Sequence, residues 1–194
     1  MPSSSAIADA VRRCLRLVPL AAVVGIAGAQ ASDRASAVRL VDLVFDYRAE
    51  NGEAAIPLSP TLMRVAEAHV ADLERHPPEG RCTAHSWSNH GPWSACCYTR
   101  DHAHARCMWN KPRELGRGTY AGEGFEIVCR NDDGMTPEAA MACWRGSRLH
   151  HDVLLGRGPW RDRDWRALGV AISAHYAVVW VGRDSERSSD DRVD

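Results

Sequence analysis

The chain has 194 residues, a formal net charge of −1 at pH 7 and a hydrophobic fraction of 45%. A near-neutral balance argues against a nucleic-acid binder, which carries a basic face. The basic side chains are almost all arginine, Lys111 being the sole lysine. Nothing resembles a collagen, coiled-coil or low-complexity array, and no internal repeat of roughly 20–50 residues is evident.

The first segment reads as a targeting signal rather than folded structure. Arg12, Arg13 and Arg16 precede an apolar run from Leu17 to Ala27, and Ala27-Gly28-Ala29 then offers a small-x-small cleavage site, with Ala29-Gln30-Ala31 as a second. That order is the pattern of a signal peptide over residues 1–31. The apolar run is too short for a comfortable membrane span. The expectation is therefore a secreted or periplasmic protein with no membrane span after cleavage, whose Cys14 is removed with the signal.

Residues 32–51 place Leu40, Val41, Val44, Phe45 and Arg48 at the spacing of a one-sided helix, with Gly52 suited to its left-handed end. Ser59-Pro60 supplies a cap and a first-turn proline for a second helix over 60–75. Its apolar stripe runs through Leu62, Met63, Ala66, His69, Val70 and Leu73, and Pro77-Pro78 stops it. Residues 79–121 are irregular and rich in Trp, His, Cys, Pro and Gly, and a loop that long is usually functional or stapled. Phe125 to Val128 reads as a short strand. Thr136-Pro137-Glu138 opens a third helix carrying Met141, Trp144 and Leu149. Leu168 to Ile172 and Tyr176 to Val181 form an antiparallel hairpin. The charged, serine-rich residues 183–194 read as a disordered tail. Helices flanking a few antiparallel strands give an α+β fold, or a three-layer α-β-α sandwich.

Six cysteines remain after the signal: Cys82, Cys96, Cys97, Cys107, Cys129 and Cys143. An even number in an exported chain favours disulfides. Fifteen connectivities are open to six cysteines, and the sequence selects none of them. A bond between the neighbours Cys96 and Cys97 would strain the peptide joining them, so each should take a different partner. No pair of Cys-x-x-Cys motifs argues for structural zinc.

Nine histidines are unevenly placed. No His-Glu-x-x-His pair, Gly-x-Ser-x-Gly elbow or phosphate-cradling glycine loop is present. His85 and His150 stand out, each beside small residues near an element end, with Glu123 and Glu126 between them in sequence. Convergence of two imidazoles and a carboxylate would suit a divalent metal or acid–base work. The competing reading is that each is a hydrogen-bonded packing residue. His102 and His104 read as exposed loop residues, and Trp144 and Trp180 as core.

Several segments together resemble the CAP superfamily (cysteine-rich secretory, antigen 5, pathogenesis-related). They are Tyr47 to Gly52 with Pro57 to Leu62 and Ala66 to His69; Ala84-His85-Ser86; Gly122-Glu123-Gly124-Phe125-Glu126-Ile127; Trp144-x-x-Ser147-x-x-His150 with Val153 to Leu155; and the closing hairpin. The resemblance covers about residues 37–182 and implies a three-layer α-β-α sandwich of CAP type with a small antiparallel sheet. It also implies a cleft lined by His85, Glu126, His150, Glu123 and Ser147, with His85, His150 and Glu126 as the set for zinc or another divalent metal. Glu126 is preferred over Glu123 because it lies on the strand. The family's second glutamate falls on Ser147, and the cysteine-rich insert at about 82–121 departs from the short form.

These features lead to the expectation of an exported, monomeric CAP/SCP-like domain over 32–182. Its expected role is a non-catalytic binding module for a small molecule, lipid, glycan, metal or protein. The alternatives are a metal-assisted hydrolase using the same cleft and a purely structural envelope protein.

Overall fold

A computed structural model describes residues 21–186, with side chains placed from residue 34 onward. Most of the expected signal lies outside the described residues. The chain divides into two units, Met1–Ser32 and Asp33–Asp194, and the architecture below is that of the second.

Helix α1 spans Ala21–Glu50 and so begins before residue 32, where the periodicity placed its start. Leu40, Val41, Val44 and Tyr47 form its buried stripe. Gly52, at φ +78, takes the left-handed turn after it. Helix α2 spans Pro60–Arg75, capped by Ser59, whose hydroxyl accepts from the Leu62 N–H at 3.1 Å. Its buried face runs through Leu62, Val65, Ala66, His69, Val70 and Leu73.

The cysteine-rich insert contains two one-turn helices, α3 (Ala105–Trp109) and α4 (Lys111–Leu115). Two disulfides staple it, Cys82–Cys97 and Cys96–Cys107, so the adjacent cysteines do take different partners. The lone lysine, Lys111, is fully buried. Its ammonium donates to Ser94 O and, at 2.8 Å, to Glu114, and it lies 5.7 Å from the Trp87 ring centre.

Strand β1 (Gly124–Arg130) is longer at both ends than the expected Phe125 to Val128. The third helix is two helices, α5 (Pro137–Gly146) and α6 (Arg148–Leu155), joined at Ser147, which adopts an extended backbone. That break resets the helical phase. Leu149, assigned to the apolar face of one continuous helix, is 70% exposed, and Val153, Leu154 and Leu155 are the buried residues of α6. Cys129–Cys143 ties β1 to α5.

Strands β2 (Ala167–Ile172) and β3 (Tyr176–Gly182) complete an antiparallel sheet of order β1-β3-β2. All three strands are buried on both faces except at Arg130, because helices cover each side. Phe125, Ile127, Leu168, Val170, Val179 and Val181 pack with α1, α5 and α6. Val128, Ala167, Ala171, Val178 and Trp180 pack with α2 and the insert. This is the expected three-layer α-β-α arrangement. At Gly169 a Cβ would fall 2.1 Å from the carbonyl carbon of Leu62, so α2 lies directly on the β2 backbone.

Trp144 is fully buried in the first of these layers, and its indole N–H has no hydrogen-bond partner. Trp144→Phe loses ring volume but removes that unpaired donor. The two effects offset, and the expected loss is about 1–2 kcal/mol by thermal or urea unfolding. The first residues of the segment 183–194 are described, and within them Glu186 accepts from the Ser59 and Thr61 hydroxyls and, at 3.3 Å, from the Thr61 N–H. The rest of that segment lies outside the described residues.

Candidate functional site

The register of β1 decides which glutamate faces the histidines. Phe125 and Ile127 point into one layer, so Glu126 and Val128 point into the other, towards α2 and the insert. Glu126 sits opposite Trp180 on β3. Its carboxylate is wholly buried, and each oxygen meets an imidazole. Oε2 accepts from Nδ1 of His85 at 2.8 Å, and Oε1 pairs with Nδ1 of His69.

His69 comes from the apolar stripe of α2, where it was counted as a packing residue. It is fully buried, its Nε2 donates to Ser86 O at 2.9 Å, and its ring stacks on Trp87 with centres 4.2 Å apart and planes 5° from parallel. A carbonyl accepts only, and so does an ionised carboxylate. Every bond is therefore satisfied when His69 carries protons on both nitrogens and Glu126 is ionised. The face of Trp87 suits that cation. Burial alone would raise the Glu126 pKa, but the charge and hydrogen bond of His69, followed by those of His85, outweigh it and hold the carboxyl below its ordinary value.

With Nδ1 committed to Glu126, His85 presents Nε2, which has no protein partner among the described residues. Its side chain is 20% exposed. The insert forms a wall here: the Tyr98 ring lies 5.0 Å from that of His85, and the Tyr98 hydroxyl pairs with Nδ1 of His102 at 2.6 Å. Burial, and then the nearby Glu126 charge, raise the Tyr98 pKa.

His150, on α6, comes close enough for the charge of His85 to act on it. Burial first, and His85 second, push its imidazole below the ordinary value. Its Nδ1 is buried without a hydrogen-bond partner, and it bonds to neither His85 nor Glu126. Glu123 does not join the group. It is half-buried and lines a separate cavity of about 510 Å³ with Arg113, Arg163, Arg166, Arg183 and Asp184. Ser147 marks the α5–α6 junction one turn before His150, and its hydroxyl makes no capping bond. His104 lies apart, lining a cavity of about 710 Å³ with Arg81, Thr83, Ala84, Thr99, Arg100 and Asp101.

The expected metal set was His85, His150 and Glu126. Among the described residues no three His, Cys, Asp or Glu side chains are grouped to hold one ion. The local reason is that Glu126 spends both oxygens on imidazoles and stands behind His85 rather than beside it. What remains is two imidazole nitrogens, one short of the three protein ligands of an open zinc site. The residues as arranged do not fit that centre.

No protein-family model matches the chain, and no curated protein matches it. Solved structures do. An extracellular protein containing an SCP domain from Bacillus anthracis superposes with a TM-score of 0.57 at 13% identity, over 80% of this chain and 43% of that one. The fold is that of an SCP (CAP) domain. A cysteine-rich secretory protein from Staphylococcus aureus has a TM-score of 0.50 at 12% identity, over 78% of this chain and 40% of its own. The chain spans about two fifths of the length of either protein. In this chain, the histidines on the insert and on α2 hold a single carboxylate from the sheet between them, and His150 on α6 lies near His85 without joining that carboxylate.

Proposed function

We propose that this SCP-type domain is an exported binding module, secreted or periplasmic, and that the His85–His150 face receives a glycan. The observation that carries the reading is the pair of imidazole nitrogens, His85 Nε2 and His150 Nδ1, left without protein partners beside a fully bonded His69–Glu126–His85 chain. A hydroxyl-rich ligand supplies a donor to the partly exposed His85 ring, and reaching the buried His150 Nδ1 requires that ring to turn. The insert residues adjoining His85 in sequence favour a glycan over a lipid in that Arg81, Thr83, Thr99, Arg100, Asp101 and His104 offer hydrogen-bonding groups along one cavity, beside the small residues Gly80, Ala84 and Ala103. The three disulfides and the extracellular description of the Bacillus anthracis structure support export. No described helix is long and apolar enough to cross a membrane.

A second reading has one observation in its favour. An imidazole oriented by a buried carboxylate, with its far nitrogen open, is also the arrangement of a general base. A hydrolase of that kind would use His85 as base and Glu126 as its orienting group.

Titration of soluble oligosaccharides into ¹⁵N-histidine-labelled protein tests both readings. Binding should shift the ring signals of His85 and His150, and His85→Ala and His150→Ala should each weaken it at least tenfold. Release of a cleaved sugar would favour the hydrolase. If no oligosaccharide shifts either ring while zinc chloride shifts both, the face is a metal site and the glycan reading falls.

A further inference from the structure

Of the three disulfides among the described residues, one reaches solvent at both ends. Cys82 and Cys97 are each half-buried, whereas Cys96 in the second bridge and Cys129 in the third are only 4% and 7% exposed. Cys82 borders two cavities: the one of about 710 Å³ that His104 lines, and another of about 610 Å³ between the end of α2 and the insert. Cys97 borders the second. In the first cavity Arg81 and Arg100 outnumber Asp101. In the second Arg75 and Glu79 balance, and His76 and His90 add to the positive side whenever they are protonated. The bridge is also duplicated by hydrogen bonds. Thr83, next to Cys82, donates from N and from Oγ1 to the carbonyl of Tyr98, next to Cys97, at 2.8 and 3.0 Å. Tyr98 N donates to Ser86 Oγ at 2.9 Å, and Trp87 and Cys96 exchange backbone bonds of 2.8 and 2.9 Å. The two segments therefore stay together when the sulfurs part.

We propose that Cys82–Cys97 is a thiol-exchange site that accepts a small anionic thiol. The thiolate of the ligand attacks Sγ of Cys82, the Cys82–Cys97 S–S bond breaks, and its electron pair leaves on Cys97 as a thiolate. The products are a mixed disulfide on Cys82 and one free Cys97. The ligand sulfur is oxidised and the Cys97 sulfur reduced, so electrons and charge balance without a further reactant. Attack falls on Cys82 because it borders a cavity that Cys97 does not, which leaves room on the side away from the departing sulfur. Positive charge stabilises a thiolate, and Arg75, His76 and His90 line the cavity into which Cys97 is released. Arg81 and Arg100 draw in the attacking anion, and a carboxylate or sulfonate on the ligand adds to that attraction. Exposed disulfides exchange, while buried ones persist. The site does not depend on the glycan reading.

The test is exchange of the disulfide-bonded protein with mercaptoethanesulfonate and, separately, with cysteamine, quenched by alkylation and mapped by peptide mass. Rates are compared per thiolate. The first adduct should appear on Cys82 with Cys97 alkylated, while Cys96–Cys107 and Cys129–Cys143 stay closed at least about ten times as long. The sulfonate should react at least about three times faster than the ammonium thiol, and about 0.5 M sodium chloride should erase most of that difference. Arg81→Gln/Arg100→Gln, at two exposed positions, should erase it as well and leave the thermal midpoint unchanged. Cys82→Ser/Cys97→Ser should fold with the histidine ring signals of wild type and take up no adduct. A first adduct on Cys97 or on either other bridge would overturn the proposal, as would equal rates for the two thiols. Failure of the double serine variant to fold would overturn it too, because the bridge would then be holding what the hydrogen bonds were assigned to hold.

Discussion

Gly169→Ala should unfold the protein or cost at least about 4 kcal/mol, an effect reserved for strain that the structure has no way to relieve. The added Cβ would lie 2.1 Å from Leu62 C, 2.2 Å from Leu62 O and 2.6 Å from Met63 N. All three are backbone atoms of the first turns of α2, so no side chain can rotate away. Displacing the helix would also break the pairing that leads into it, where Leu168 N donates to Pro57 O at 2.8 Å and Ser59 N to Leu168 O at 2.9 Å. Gly146 is the control: a Cβ there meets nothing within 4 Å. Equilibrium urea unfolding of Gly169→Ala and Gly146→Ala would decide the matter, and equal midpoints would show that α2 can slide on the sheet.

Glu126→Gln should cost about 3–5 kcal/mol, the range for removing one partner of a buried ion pair. A glutamine offers one oxygen where two imidazole N–H groups need two, and it turns an N–H towards one of them. One of the two imidazole N–H groups is then left facing another N–H in a buried site. Replacing both partners, His69→Leu with Glu126→Leu, should recover much of the loss, because an apolar pair brings no charge to be solvated. A Glu126→Gln midpoint within error of wild type would show that the carboxylate is not ionised in the fold.

The same pair sets the acid limit. The lowered Glu126 pKa means that the folded state holds its proton less readily than the unfolded chain. That contribution is whole above the ordinary value of 4.5 and is lost as pH falls below it through the lower folded value. His150 adds an earlier loss. Its imidazole resists protonation when folded, so stability also declines as pH falls below the ordinary value of 6.5. Thermal melts from pH 7 to 3 should show two declines. His150→Ala should remove the first, and Glu126→Gln should shrink the second, to which Glu74, Asp101 and Glu138, also held below their ordinary values, contribute the rest.

Periodicity and turn chemistry made most of this fold legible, but the phase of α6 and the role of His69 were not. Ser59-Pro60 and Thr136-Pro137 mark the two capped helices because a hydroxyl acceptor and a proline act locally. The break at Ser147 has no such local signal: no proline or left-handed glycine interrupts the run, and Ser147 takes its extended backbone without a capping bond from its side chain. Glu126 was preferred over Glu123 because it lies on the strand, and the register of β1 turns it towards His85. His69 sits at an apolar repeat position of α2, and its partners Ser86 and Glu126 are 17 and 57 residues away. Its one visible sign was a titratable side chain inside an otherwise apolar stripe, which the tally of apolar positions absorbed.

The seat of Glu186 bears on how this chain should be cut and fused. A fragment ending at Gly182 would keep every strand. It would nevertheless strip the acceptor from Ser59 and Thr61, both fully buried hydroxyls at the amino end of α2. A purification handle joined directly after the last strand would press on the same spot. Shortened versions should therefore retain Glu186 and place any appended sequence beyond it, since the useful boundary of the domain is drawn by this carboxylate rather than by the edge of the sheet.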